Sequence, residues 1–426
     1  MPTETTKAVR DLAAVQRRAV LVLALTQIAG GIGMGAMLAV GALIALELSG
    51  SDAWSGMATT MITLGAAVFA LPLASLSARS GRRPGLATGW ALGALGGTVV
   101  LAASVLDTFV LFLAGMVLVG AGTATNLQAR HAAADLATDR TRARDLSLVV
   151  WATTVGAVLG PNLIAPLAPL SRVLGLPELL GPVVATTAGF AVGAASTFFL
   201  LRPDPLRLAT RRRGADTPST GRLTVAAALR VIALSPAALL AVAGIVAGHT
   251  VMVAVMTMTP VHMTQHGAEL TVIGLTISLH IAGMYALSPV VGRLADRLGR
   301  VPMLLTGHGI LVVAAVVSGT AGHDETWVTL GLILLGVGWS FALVSGTALL
   351  AESLSAEVRP RVQGISDLVM NLGGAAAGGL SGFVLAQTGF AGLNLFAALF
   401  TLPVFALAVR ALIIRRRWDG DAPNTA

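Results

Sequence analysis

Gly292-Arg-Leu-Ala-Asp-Arg-Leu-Gly-Arg300 is a short polar turn between two long apolar segments, and it aligns with a second stretch, Ala74-Ser-Leu-Ser-Ala-Arg-Ser-Gly-Arg82. The offset is 218 residues, the separation of Ala74 and Gly292, and it also pairs Gly156 with Gly374 and Gly160 with Gly378. An internal repeat of this length in an apolar chain predicts two related sets of helices. They would share a site near the bilayer midplane and open it to each side in turn.

Outward from the repeated turn, apolar segments occupy 18–47, 54–77, 85–105, 108–131, 146–169 and 178–201 in the first half. In the second half they occupy 233–262, 268–291, 301–321, 325–351, 362–387 and 391–415. Each is long enough to cross a bilayer and is bounded by charge or by Gly/Pro. The expectation is an all-α membrane protein of twelve spans. Residues 1–201 form one six-helix half, 202–232 a solvated cytoplasmic linker, and 233–426 the other half. Composition agrees: 55% of the 426 residues are hydrophobic and 11% charged, with mean hydropathy +0.83. A soluble domain carries about a quarter charged residues, so a soluble enzyme is excluded.

The formal charge is +8, and its distribution orients the chain. With both termini cytoplasmic, Lys7, Arg10, Arg17, Arg18, Arg79, Arg82, Arg83, Arg140, Arg142 and Arg144 fall inside, as do the arginines of the central linker, the Arg293–Arg300 turn and the tail. Only Arg172 falls outside. This places a multi-pass protein in the cytoplasmic (inner) membrane with the lipid bilayer as its partner, and it explains the basic balance without nucleic acid. The first span is too long for a signal-peptide core and has no cleavage site, so no cleavable signal is expected. The absence of cysteine removes disulfides, thiolate metal sites and cysteine nucleophiles. Lys7 is the single lysine, so no GK[ST] phosphate loop exists and the chain cannot itself be an ATP-driven pump. No zinc-protease HExxH, nucleophile elbow or soluble domain supports a membrane enzyme or sensor.

Six of the seven histidines lie in the second half. On span seven, His249, Met252, Met256 and Met263 fall within a wedge of about 60°, with Met258 opposite. On span eight, His280 and Met284 are four residues apart, on one face. Counting inward at 1.5 Å per residue puts Met252 and His280 about 15–18 Å deep, near the midplane, with Met256 a turn shallower and Met284 a turn deeper. Thioether and imidazole select Cu(I) over hard cations, and being neutral they add no buried charge. Packing accounts for the same residues, since Met fills gaps in apolar helices and Met57-x-x-x-Met61 repeats the spacing with no suggestion of a site.

Several further residues carry two readings. Met34 is the repeat counterpart of Met252: an additional ligand from the other half, or packing. His249 accepts the metal or a proton, or is hydrogen-bonded in the core. His262, Met263 and His266 gather at the outer mouth, where they capture an incoming metal or are simply solvated. Asp367 lies inside span eleven with Asn371 one turn on, as a proton carrier or gate residue, or as the partner of an arginine at the inner mouth. Arg130, beside His131 at the inner end of span four, supplies that partner or lines the exit. The Gly30, Gly31, Gly33, Gly35 run is a packing or bending element, because no strand precedes it.

The turn at 292–300 and Gly156-Ala-Val-Leu-Gly-Pro-Asn-Leu163 in span five resemble signature motifs of the major facilitator superfamily. The resemblance implies that Asp296 and Arg297 latch the cytoplasmic side. The first-half copy has Ala74 and Ala78 where the motif has Gly and Asp, so one latch is weakened or replaced. Met116 stands where the family's fourth-span arginine is expected, a departure from the proton relay of multidrug exporters. Met252-x-x-x-Met256 on span seven and His280-x-x-x-Met284 on span eight further resemble the CcoA-like copper importers. That resemblance implies import of copper as transported substrate, with no resident cofactor, toward copper chaperones or oxidase assembly factors. Nothing in the sequence requires more than a monomer. The alternative is a proton-coupled transporter of an organic solute, by riboflavin-like uptake or drug efflux, with Asp367 as the coupling acid.

Overall fold

The structure, a computed structural model, describes residues 4–137, 142–213, 225–354 and 358–410. Among these residues every regular element is helical. Spans 1 to 6 are Leu12–Ser49, Asp52–Ser77, Arg82–Val105, Phe109–Ala129, Trp151–Val173 and Glu178–Ala209. Spans 7 to 10 are Pro236–Gln265, Leu270–Leu298, Arg300–Thr320 and Glu325–Glu352. The last apolar segment, Val362–Arg410, has 49 residues. At 1.5 Å per residue that is about 73 Å, more than twice the ~30 Å hydrocarbon thickness. Its helical backbone breaks at Gly389, with φ 69° and ψ −177°, so it supplies two crossings, spans 11 and 12. That break lies between the apolar segments expected at 362–387 and 391–415.

The chain forms two compact units: residues 1–219 with 260–281, and 220–259 with 282–426. In lipid, hydrophobicity does not drive helices together, so close packing through small residues must. The first unit shows this at the contact of spans 1 and 5. A Cβ on Gly31 would lie 2.7 Å from the Thr153 carbonyl, one on Gly156 would lie 3.0 Å from the Gly31 Cα, and one on Gly160 would lie 3.0 Å from the Gly35 carbonyl carbon. Gly30 instead faces the Trp90 ring of span 3, and Gly33 faces Thr186 of span 6, whose hydroxyl donates to the Gly33 carbonyl at 2.8 Å. The glycine run thus places three neighbours around span 1. In the second unit, Ala238, Ala241, Leu304, Ala342, Leu350, Val362 and Val404 belong to one buried apolar cluster.

The repeat is visible in the backbone. Helices end at Ser80 and Leu298 and restart at Arg82 and Arg300. The single residues between them, Gly81 and Gly299, have φ/ψ of 98°/167° and 96°/151°, a conformation essentially restricted to glycine. Their N–H groups donate to Ser77 and Ala295, which are again 218 residues apart.

The stretch read as a solvated linker is helical at both ends, as Pro205–Arg213 and Val225–Leu234. Ala228 and Ile232 bury one face of the latter in the second unit's core. Asp204 ties the former down, accepting from the Arg83 N–H at 2.8 Å and the Arg207 N–H at 3.0 Å. The apolar spacing of 225–234 suits that buried face. Residues 214–224 lie outside the described residues.

Gly156→Ala drives a methyl into the Ile28 carbonyl, whereas Gly309, in span 9, has open space beside it. Overpacking of this kind costs about 1–3 kcal/mol. Gly156→Ala is therefore expected to lower the melting temperature of the detergent-solubilised protein clearly, and Gly309→Ala to leave it at or above wild type.

Candidate functional site

Span 7 is apolar around its whole circumference, which suits a helix buried on every side. Met252, Met256 and Met263 are 5%, 6% and 3% exposed. Span 8 begins as the helix Leu270–Tyr285 and continues, after a break, as Ser288–Leu298. His280 is fully buried on it and Met284 is 8% exposed. The four motif residues are therefore buried. Among the described residues no group of three or more His, Cys, Asp or Glu is arranged to hold a metal, so any metal coordination here would rest on thioethers with single imidazoles.

His249 takes the hydrogen-bonded arrangement. The Trp339 indole N–H donates to its Nδ1 at 3.2 Å, which places the ring proton of neutral His249 on Nε2. The absence of a side chain at Gly374 admits that ring: a Cβ there would lie 2.8 Å from Nε2. Tyr285 packs edge-on against the same Trp339, with centroids 5.7 Å apart. For His249 to bind metal it would have to release the indole or the Nε2 proton. Met34 is half-buried, and its sulfur faces the Thr123 hydroxyl at 3.6 Å.

At the far end of span 7 the rings of His262 and His266 lie 4.4 Å apart, and His266 Nδ1 is 2.7 Å from the His262 carbonyl. His262 and Met263 are buried and His266 is exposed. Asp367 is exposed, on the third turn of its helix, and Asn371 directs its amide to the Asp367 carbonyl at 2.7 Å. The side chain of Arg130 lies outside the described residues.

The repeated turns carry ionic pairs that sequence reading assigned differently. Arg300 binds both the Asp296 carboxylate and Glu352 of span 10, the latter at 2.9 Å. Arg297 points into the open. In the first unit Arg82, the repeat counterpart of Arg300, pairs with Asp135 at 2.8 and 3.2 Å. Asp135 falls one position from the counterpart of Glu352, so Arg82–Asp135 repeats the Arg300–Glu352 pair, while the Asp296 side of the arrangement has Ala78 at its counterpart. The aligned Arg at the end of both motif copies was the available signal. Two buried groups also escaped notice. His308 Nε2 meets the Gly244 carbonyl at 3.1 Å, and Gln16 donates to the buried Asp145 at 2.8 Å and to the Ala133 carbonyl at 2.7 Å.

With this architecture in place, comparison with known proteins is decisive for the family. The sequence profile of the Major Facilitator Superfamily matches residues 22–344 and, again, 250–425. This chain belongs to that superfamily. It is a multi-pass membrane transporter of the cytoplasmic membrane. It is 38% identical to YdeG, an uncharacterised transporter of this superfamily from Bacillus subtilis, over 92% of this chain and 91% of that one. It is 27% identical to the riboflavin transporter RfnT of Brucella anthropi, over 96% of this chain and 98% of that one. Among solved structures, the nucleoside transporter NupG superposes with a TM-score of 0.70 at 14% identity, covering 92% of this chain and 98% of that chain. A bacterial homologue of the lysosomal transporter Spinster gives 0.68 at 15% identity, covering 97% and 99%. At these identities the structures show a shared fold.

Exposed ion pairs contribute about 0–1 kcal/mol each. Arg300→Gln is therefore expected to leave thermal stability almost unchanged. If the Asp296–Arg300–Glu352 chain gates transport, the same variant lowers the initial uptake rate severalfold in proteoliposomes, and an unchanged rate would remove these pairs from the gate.

Proposed function

We propose that this superfamily transporter imports copper, carried on the neutral thioether and imidazole groups of spans 7 and 8. The observation that carries the reading is that Met252, Met256, His280 and Met284 are all less than a tenth exposed and hold the M-x-x-x-M and H-x-x-x-M spacings. Four neutral soft or borderline donors, with no carboxylate at the motif positions, suit a monovalent soft cation: its own charge is the single one to be desolvated. Zinc is served less well by thioethers. His262, Met263 and His266 would meet the metal at the outer mouth, and Asp296, held by Arg300, would guard the cytoplasmic side. Inward movement of the cargo, toward copper chaperones or oxidase assembly factors, follows the resemblance to the copper importers, and the driving force is a gradient. His249 and Met34, each already engaged by a neighbour, play secondary parts.

A second reading is supported by the riboflavin transporter that aligns along nearly the whole length of both chains, and by the His249–Trp339–Tyr285 group, whose flat rings suit a planar organic solute. There Asp367, with Asn371 one turn on and Arg130 as its partner at the inner mouth, couples protons to uptake.

Uptake of radioactive copper into proteoliposomes separates the two. The copper reading expects saturable uptake that falls to background in Met252→Leu/His280→Ala, survives Asp367→Asn, and is not competed by riboflavin. Uptake of riboflavin that tolerates Met252→Leu and fails in Asp367→Asn would overturn it in favour of the organic solute.

A further inference from the structure

Span 5 changes its helical type at its centre. The helix Arg142–Leu159 passes into a tighter 3-10 segment of four residues, Gly160–Leu163, before resuming as Ile164–Val173. The Ile164 N–H returns to the Pro161 carbonyl, the i→i+3 pattern of that turn. In this pattern the donor due to the Val158 carbonyl is the backbone nitrogen of residue 161, and a proline has no N–H to give. A carbonyl left open within a membrane span must find another donor. Val158 finds two: the Asn162 amide at 3.0 Å and the Ser278 hydroxyl at 2.8 Å. Asn162 also donates to the Ser278 hydroxyl oxygen at 2.6 Å.

Ser278 belongs to span 8, yet residues 260–281 pack as part of the first compact unit. A second device lets it approach. A Cβ on Gly274, one turn before Ser278, would lie 2.5 Å from the Pro161 carbonyl, so glycine there lets span 8 lie directly on the kink. About 20 Å along the chain's path, where spans 7 and 8 meet at the turn, Gln265 donates to both carboxylate oxygens of Asp52, each at 2.9 Å. Both ties join the first half of the repeat to the loop end of spans 7 and 8. The arginine bias reads this as the external side.

We propose that Ser278, Asn162 and the Pro161 kink form the external gate of the transport cycle, with Asp52–Gln265 as its outer clasp. Opening to the outside requires residues 260–281 to leave the first unit, and that separates Ser278 from Val158 while Asn162 stays behind. The kink therefore stores an acceptor that holds the gate shut through a neutral hydrogen bond, and Asn162 covers that acceptor once the gate opens. The inference depends on the chain being a transporter and is independent of the cargo.

The natural absence of cysteine makes the test direct. Asn162→Cys/Ser278→Cys and Asp52→Cys/Gln265→Cys are each treated in proteoliposomes with a short bifunctional methanethiosulfonate. Loss of maleimide-reactive thiols reports bridging, and uptake of radioactive copper, or of riboflavin if wild type carries that instead, reports transport. Gln27→Cys/Thr153→Cys bridges two first-half helices whose side chains meet at 2.8 Å and serves as control. We expect both gate pairs to bridge, with transport falling about tenfold or more and returning on reduction, while the bridged control keeps transporting. Gate pairs that bridge without loss of transport, or that fail to bridge while the control does, overturn the proposal. If Asn162→Cys/Ser278→Cys does not fold, the Asp52→Cys/Gln265→Cys pair decides by the same two outcomes. Absence of copper uptake in wild type bears on the cargo alone, because bridging is read without it.

Discussion

A backbone carbonyl inside hydrocarbon has no water to bond to, and most of this structure follows from that constraint. It confines the crossings to helices, whose carbonyls are satisfied along the chain. It then decides where helices can be broken. At Gly81, Gly299 and Gly389 the break falls where a crossing ends, in conformations that suit glycine. At Pro161 the break falls inside a crossing, and the freed Val158 carbonyl is met by side chains from spans 5 and 8. Because one of those side chains comes from another part of the chain, a backbone requirement becomes a contact that can be made and broken.

The same scarcity of solvation governs side chains. Polar residues within the spans are mostly occupied: Thr186 with Gly33, Gln27 with Thr153, His308 with Gly244, His249 with Trp339. Formal charges gather at the ends of spans, where Arg82–Asp135 and Arg300–Glu352 tie neighbouring helices near the repeated turns. The motif methionines and His280 are buried without adding charge. Under the copper proposal such donors would favour a soft cation, whereas a hard or divalent ion would call for carboxylates that the motif positions do not offer. The neighbouring aromatic group around Trp339 is the feature a flat organic solute would use instead.

Much of this was legible in the sequence because membrane helices have few alternatives. Span number, the repeat and the packing role of the glycines all follow from hydropathy, length and small-residue spacing, and the backbone at Gly81 and Gly299 repeats at the offset that the aligned motifs share. The ionic pairs were less legible. Arg82–Asp135 joins residues 53 positions apart, and spacing along one helix says nothing about partners on another. Asp296 and Arg297 were both drawn from the motif, but helical rotation turns Asp296 toward Arg300 and Arg297 into the open. The role of Ser278 could not be read at all, since a serine in an apolar helix gains meaning only when an orphaned carbonyl is brought beside it. The same holds for His249: spacing along span 7 said nothing of its hydrogen-bond partner, Trp339, 90 residues away.

The central claim is that the buried thioethers and imidazole of spans 7 and 8 bind the cargo. X-ray absorption at the copper edge, on purified protein loaded with Cu(I), tests it most directly. The account predicts about one copper per chain with mixed sulfur and nitrogen neighbours, the sulfur contribution diminishing in Met252→Leu and the nitrogen contribution in His280→Ala. Copper that fails to bind stoichiometrically, or that shows only oxygen and nitrogen neighbours unaffected by either substitution, would contradict it.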